Sequence, residues 1–162
     1  MDNSNSVLVP VSWLDHNGQS ITSSKQIGHP FLLVDVTSDE PGPSARWIRT
    51  LALIDTGSTS GRIERSIIRE LGSVPVGSST FIGNIGHETV DSYHIHWRPV
   101  FAPQFIITDH TSVLDSPLGF PEARGLIGMS LLKFGNLFLD PHSNKGAFQI
   151  HVDRFLSPTG NQ

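Results

Sequence analysis

An all-β domain is the fold class this sequence predicts, and three observations predict it. Short runs rich in Val, Ile, Leu and Phe recur along the chain, while segments with helical periodicity are few. The 15 Gly and 11 Pro of its 162 residues are spread throughout, so turn formers punctuate these runs instead of collecting in one linker. One run, Trp47-Ile48-Arg49-Thr50-Leu51-Ala52-Leu53-Ile54, begins with mixed polarity and ends fully apolar, as a strand does when it passes from a sheet edge into a core. With 37% hydrophobic residues, a chain of this length builds one domain around one ordinary core. Residues 1–162 therefore read as a single unit, with a core over about 31–150 and frayed ends at 1–6 and 157–162.

The elements follow in order. Residues 7–14 form an edge strand, because Pro10 has no N–H for a ladder, and Asn17-Gly18 supplies a tight turn after it. Residues 31–37 and 47–54 form a hairpin across the turn formers of 39–44. Ile63, Ile67, Ile68 and Leu71 share one face at helical spacing, which predicts a short helix from about Glu64 that Gly72 caps. A second hairpin spans 81–90, with Gly83 and Gly86 at its tip. Residues 104–108 read as a strand and 109–124 as a polar, Pro-containing loop. Ser130 then caps a helix of one to two turns that Gly135 ends, and 136–141 with 146–150 make a closing hairpin.

Composition removes several function classes. Net charge is −4 and no basic patch suggests nucleic acid; no apolar run approaches the length of a membrane span. The opening Met1-Asp2-Asn3-Ser4-Asn5-Ser6 lacks the charged-then-apolar layout of a secretory signal, and the absence of Cys excludes disulfides. Both lean toward a cytoplasmic location. His94-Ile95-His96 puts two imidazoles on one face of a strand, but no third ligand is evident, so no functional metal is expected. Gly57-Ser58-Thr59 and Gly77-Ser78-Ser79 lack the Gly-x-Ser-x-Gly elbow of a serine nucleophile.

The chemistry concentrates in Asp55-Thr56-Gly57-Ser58, where a carboxylate stands at the inner end of an apolar strand and Gly57 lets the backbone turn sharply beside it. Hydrolysis of an amide by activated water needs a base for the water and an acid for the leaving group. Two Asp side chains sharing one proton supply both, since like charges a few ångström apart cannot ionise together. The chain has one Asp-Thr-Gly, so for this chemistry Asp55 is expected to meet its equivalent from a second copy across a two-fold axis. Asp35, Asp109, Asp115 and Asp140 are not followed by Thr-Gly or Ser-Gly and read as solvated or turn-capping carboxylates.

The order of an apolar strand, Asp55-Thr56-Gly57-Ser58, a Gly-tipped hairpin and then Leu126-Ile127-Gly128 before a short helix resembles the retropepsin-like aspartic proteases, over roughly 31–150. Leu131 and Leu132 match the pair of Leu at the start of that family's C-terminal helix. The resemblance implies a closed, mainly β barrel with two short helices, one half of a pepsin-like bilobal enzyme, acting as a homodimeric endopeptidase on peptide or protein substrates without a cofactor. It also implies roles. Asp55 is the catalytic carboxylate, and the Thr56 hydroxyl ties the two catalytic loops together. Gly57 leaves room beside the carboxylates, and the Ser58 hydroxyl bonds Asp55, favouring its charged form and an acid-side activity optimum. Leu126, Ile127 and Gly128 cross behind the catalytic loop and support it. Ile82, Gly83, Asn84, Ile85 and Gly86 form a flap over an extended, largely apolar peptide, held as an added strand; the rival reading is an ordinary hairpin turn.

Retroviral members commonly carry Arg directly after the supporting Gly and Asp four residues after the catalytic Asp. Here those positions hold Met129 and Thr59, which brings the chain closer to cellular or bacterial members. The segments 7–14 and 148–155 are candidates for a sheet shared between subunits, against pairing within one subunit. The main functional alternative is a noncatalytic module that keeps the fold for dimerisation or peptide binding.

Overall fold

The computed structural model describes residues 6–21, 23, 25, 26, 28–83, 86–115 and 117–156. It is mostly β. In chain order come β1 (Ser6–Pro10), β2 (Ser12–Leu14), β3 (His29–Thr37), β4 (Ile48–Ile54), β5 (Arg62–Glu64), α1 (Arg65–Leu71), β6 (Gly77–Gly83) and β7 (Gly86–Pro99). β8 (Ile107–Leu114), β9 (Ala123–Ile127), α2 (Met129–Leu132), β10 (Gly135–Asp140), β11 (Lys145–His151) and α3 (Val152–Leu156) complete it.

Six strands in the order β3-β4-β9-β5-β8-β7 close into a barrel, because β7 returns to pair with β3. One edge of β3 pairs with β4. Its other edge is divided between β2 at the His29–Phe31 end and β7 at the Val34–Thr37 end. Along β4 the alternation is clean: Ile48, Thr50, Ala52 and Ile54 point inward, while Arg49, Leu51 and Leu53 point out. The barrel core gathers Leu32, Val34, Val36, Ile63, Ile67, Ile95, Trp97 and Val113 with Val9, Phe148 and Ile150. A smaller cluster of Leu14, Phe31 and Ala123 lies with Leu51, Leu53 and Phe120. Outside the barrel wall, the buried Asp35 carboxylate receives Arg49 at 2.9 Å and Arg98 at 3.2 Å, and Arg98 stacks over Trp47 at 3.8 Å. Asp35 is thus a buried ion-pair centre and not the solvated carboxylate its sequence suggests.

Several boundaries differ from expectation. The edge strand of 7–14 is two strands in different sheets, broken at Val11, whose N–H bonds Gly146 O at 3.1 Å. β1 opens at Ser6, which pairs with His151, so the ordered chain reaches into the segment expected to fray. The strand expected at 104–108 starts at Ile107, and 109–114, expected as loop, is the greater part of β8. Polar side chains hid it; among them, buried Thr111 accepts the Trp97 indole N–H on its Oγ1 at 2.9 Å. The helix at 65–71 forms as expected, with Gly72 at φ 69° closing it. Ser130 sits inside α2, whose N-cap is Gly128. A third short helix, α3, was not anticipated.

β1, β11 and β10 form a separate three-stranded sheet within one chain. Its inner face packs Val9, Phe148 and Ile150 on the barrel; Leu8 and Phe138 on the outer face are 64% and 53% exposed. Within the chain, β1 thus pairs with β11 along Ser6–Pro10.

Candidate active site

Asp55 stands where β4 leaves the barrel. β9 runs parallel to β4 with Leu53 opposite Leu126 and Ile54 opposite Ile127, and the ladder continues one step further, Asp55 N–H donating to Ile127 O at 3.0 Å. The carboxylate thus begins its loop from a fixed peptide. Ser58 N–H returns to Asp55 O at 3.2 Å, closing a turn, and Gly57 N–H donates to Asp55 Oδ1 at 2.9 Å. Asp55 is half-buried, and Thr56 and Gly57 are exposed beside it. The turn leaves the carboxylate at the surface without letting it wander.

The far side of the loop is locked as firmly. Met129 N–H donates to Ser58 O and Ser130 N–H to Thr59 O, both at 2.8 Å, so the first turn of α2 caps the loop carbonyls. Gly128 makes this approach possible: a Cβ there would stand 2.4 Å from Ser60 O and 2.8 Å from Ser58 O. Leu126 and Ile127 are buried, and with Gly128 they run alongside β4 and then under the loop.

One carboxylate has a role here that the sequence does not announce. Asp109 Oδ2 accepts Gly61 N–H at 2.9 Å and the Ser130 hydroxyl at 3.0 Å, joining β8, the end of the Asp55 loop and α2. The signal was weak: a lone Asp in a polar stretch read as loop. Ser58 differs from expectation as well. Its hydroxyl donates to Ser60 O at 2.9 Å and not to Asp55. Its contribution is to the shape of the loop.

The carboxylates weighed as an internal second acid are engaged elsewhere. Asp35 holds two Arg, Asp109 holds Gly61 and Ser130, Asp115 pairs with Arg65, and Asp140 accepts from residues 142 and 143 in the β10–β11 turn. Among the described residues, no three His, Cys, Asp or Glu side chains converge as a metal cage.

The expected flap is a hairpin. β6 pairs with β7 from Gly77 opposite Ser92 to Gly83 opposite Gly86, longer than the 81–90 read from sequence. Ile82 and Gly83 end β6, Gly86 opens β7, and Asn84 and Ile85 lie outside the described residues. No helix of the described residues is long and apolar enough to cross a membrane.

No family profile matches the chain. No curated protein matches it. Among solved structures it is similar to a retropepsin-like aspartic protease from Rickettsia conorii, with a TM-score of 0.52 and 12% identity, covering 93% of this chain and 98% of that one. The fold is that of a retropepsin-like half-domain: a closed six-stranded β-barrel with few, short helices.

Proposed function

We propose that this chain is one half of a homodimeric aspartic endopeptidase, with Asp55 and the partner's Asp55 sharing one proton and one water. The ionised carboxylate takes a proton from the water as its oxygen attacks the peptide carbonyl carbon, and the protonated carboxyl gives its proton to the carbonyl oxygen. When the tetrahedral diol collapses, the C–N bond breaks and a proton passes to the departing amine nitrogen. No covalent intermediate and no cofactor enters these steps.

The observation that carries the reading is the anchoring of Asp55: its backbone N–H donates to the Ile127 carbonyl and its half-buried carboxylate accepts the Gly57 N–H, on a loop that β9 and α2 brace. A preorganised acid at the surface of a half-domain has use for a second one facing it. In this reading Thr56 links the two loops across the axis, and the β6–β7 hairpin, paired along one edge only, closes over an extended peptide that is largely apolar near the scissile bond. Thr59 and Met129 set the chain beside cellular or bacterial members of the fold, and its lack of Cys suits the cytoplasm.

The test is Asp55→Asn. Cleavage of a peptide library falls to background, while sedimentation still finds a dimer and the wild type binds a statine-type peptide inhibitor. A wild type that neither cleaves peptides nor binds that inhibitor is a noncatalytic module, and the proposal fails.

A further inference from the structure

We infer that His94 and His110 form a two-point chelating site for a borderline transition-metal ion, of the class of Zn²⁺, Ni²⁺ or Cu²⁺, on the outer wall of the barrel. The two residues are directly opposite in the antiparallel β7–β8 ladder, and both side chains are exposed. Their rings meet at 67° with centroids 4.4 Å apart, and Nε2 faces Nε2 at 3.0 Å.

Two nitrogens this close need something between them. With both rings neutral it is a single proton: one imidazole donates and the other accepts, the roles being set by the tautomers. A metal ion in place of that proton receives a lone pair from both. With metal–nitrogen bonds of about 2.0–2.1 Å, two ligands at 90–110° stand about 2.9–3.4 Å apart. The observed 3.0 Å lies inside that bite, so the rings need to turn but the strands need not move.

The frame is rigid. Six consecutive residue pairs, from Ser92 opposite Ser112 to Trp97 opposite Ile107, hold the ladder on both sides of the histidines. Imidazole selects the ion class, since Mg²⁺ and Ca²⁺ prefer oxygen ligands. His96, the partner the sequence pattern offered for His94, is two residues along the same strand, and its Nδ1 bonds Thr108 Oγ1 at 2.9 Å. The cross-strand neighbour, invisible to sequence spacing, is the better placed ligand. With two protein ligands the remaining positions belong to water, and the site is open to solvent.

The experiment uses the full chain without a polyhistidine tag, above neutral pH, with ZnCl₂, NiCl₂ or MgCl₂ as the probe. Calorimetry should find one ion per chain at micromolar zinc or nickel, and Tm should rise with those ions and stay put with magnesium. His94→Gln and His110→Gln should each abolish the effect, with unchanged metal-free Tm and circular dichroism showing that the fold persists. His96→Gln should keep it. The inference is overturned if saturation requires millimolar ion, or if the zinc response survives in the His94→Gln/His110→Gln double variant, which would assign it to the scattered remaining histidines.

Discussion

Asp109 shows how much one side chain can organise around the Asp55 loop. A single carboxylate oxygen collects a backbone N–H from the end of the Asp55 loop and a hydroxyl from α2, while a second bond, Ser112 N–H to Gly61 O at 3.1 Å, ties the same peptide to β8. Hydrogen bonds to charged groups are the stronger ones, at about 1.5–3 kcal/mol each. Asp109→Ala should therefore lower unfolding free energy by roughly 2–4 kcal/mol, with both donors left without their acceptor. Asp109→Asn, which can still accept, should cost less. Urea titrations of Asp109→Ala, Ser130→Ala and the double variant should give a coupling of about 0.5–3 kcal/mol; strict additivity would dissolve the link. Asp55 was legible in the sequence because Asp-Thr-Gly after an apolar strand is a local pattern. Asp109 was not, since its role lies in pairing with residues far away along the chain, and nothing in Ile107-Thr108-Asp109-His110 announces those partners. The same blindness misassigned Ser58, whose hydroxyl donates to the Ser60 backbone carbonyl and not to Asp55.

At the scale of elements, the decisive contact is the parallel pairing of β9 with β4, which lets one strand hand Asp55 into its loop while the other passes beneath. Gly128 is the hinge of that arrangement. In Gly128→Ala the new methyl meets the Ser60 and Ser58 carbonyl oxygens, which are backbone atoms and cannot swing aside as a side chain would. Overpacking of this kind costs about 1–3 kcal/mol, and here it should also pull α2 from the loop, breaking the Met129 and Ser130 N–H bonds. The expected outcome is a lower Tm together with faster amide exchange at Met129 and Ser130; unchanged protection at both would show that the loop does not depend on close approach. Strands bounded by turn formers were readable: β3, β4, β10 and β11 lie close to where apolar runs and turns put them. β8 was not, because Asp109, His110, Thr111 and Ser112 look like a loop until Trp97 and Gly61 are seen to answer them. Period-2 patterns identify strands but carry no information on which strands meet, so the barrel closure through β3 and β7 was beyond them.

For the whole molecule the question is how many carboxylates each site takes from one chain. The other acids considered for the role are occupied by Arg, by backbone N–H groups or by a turn, and the proposed function accordingly takes the counterpart of Asp55 from a second copy. That requirement has an arithmetic consequence. If wild type and Asp55→Asn are mixed in equal amounts at fixed total concentration and allowed to exchange subunits, random pairing makes roughly one quarter of the dimers wild type on both sides. The mixed dimers carry one carboxylate and one amide, and an amide can neither share the proton nor act as the base for water. Peptidase activity should then fall to roughly one quarter of the undiluted wild type. A complete site within each chain would instead leave about one half, because every wild-type subunit would go on cutting whatever stood beside it. Diluting the wild type adds a second arm: specific activity should drop as dimers separate and recover when the protein is concentrated again, whereas a self-sufficient chain keeps its specific activity at every dilution.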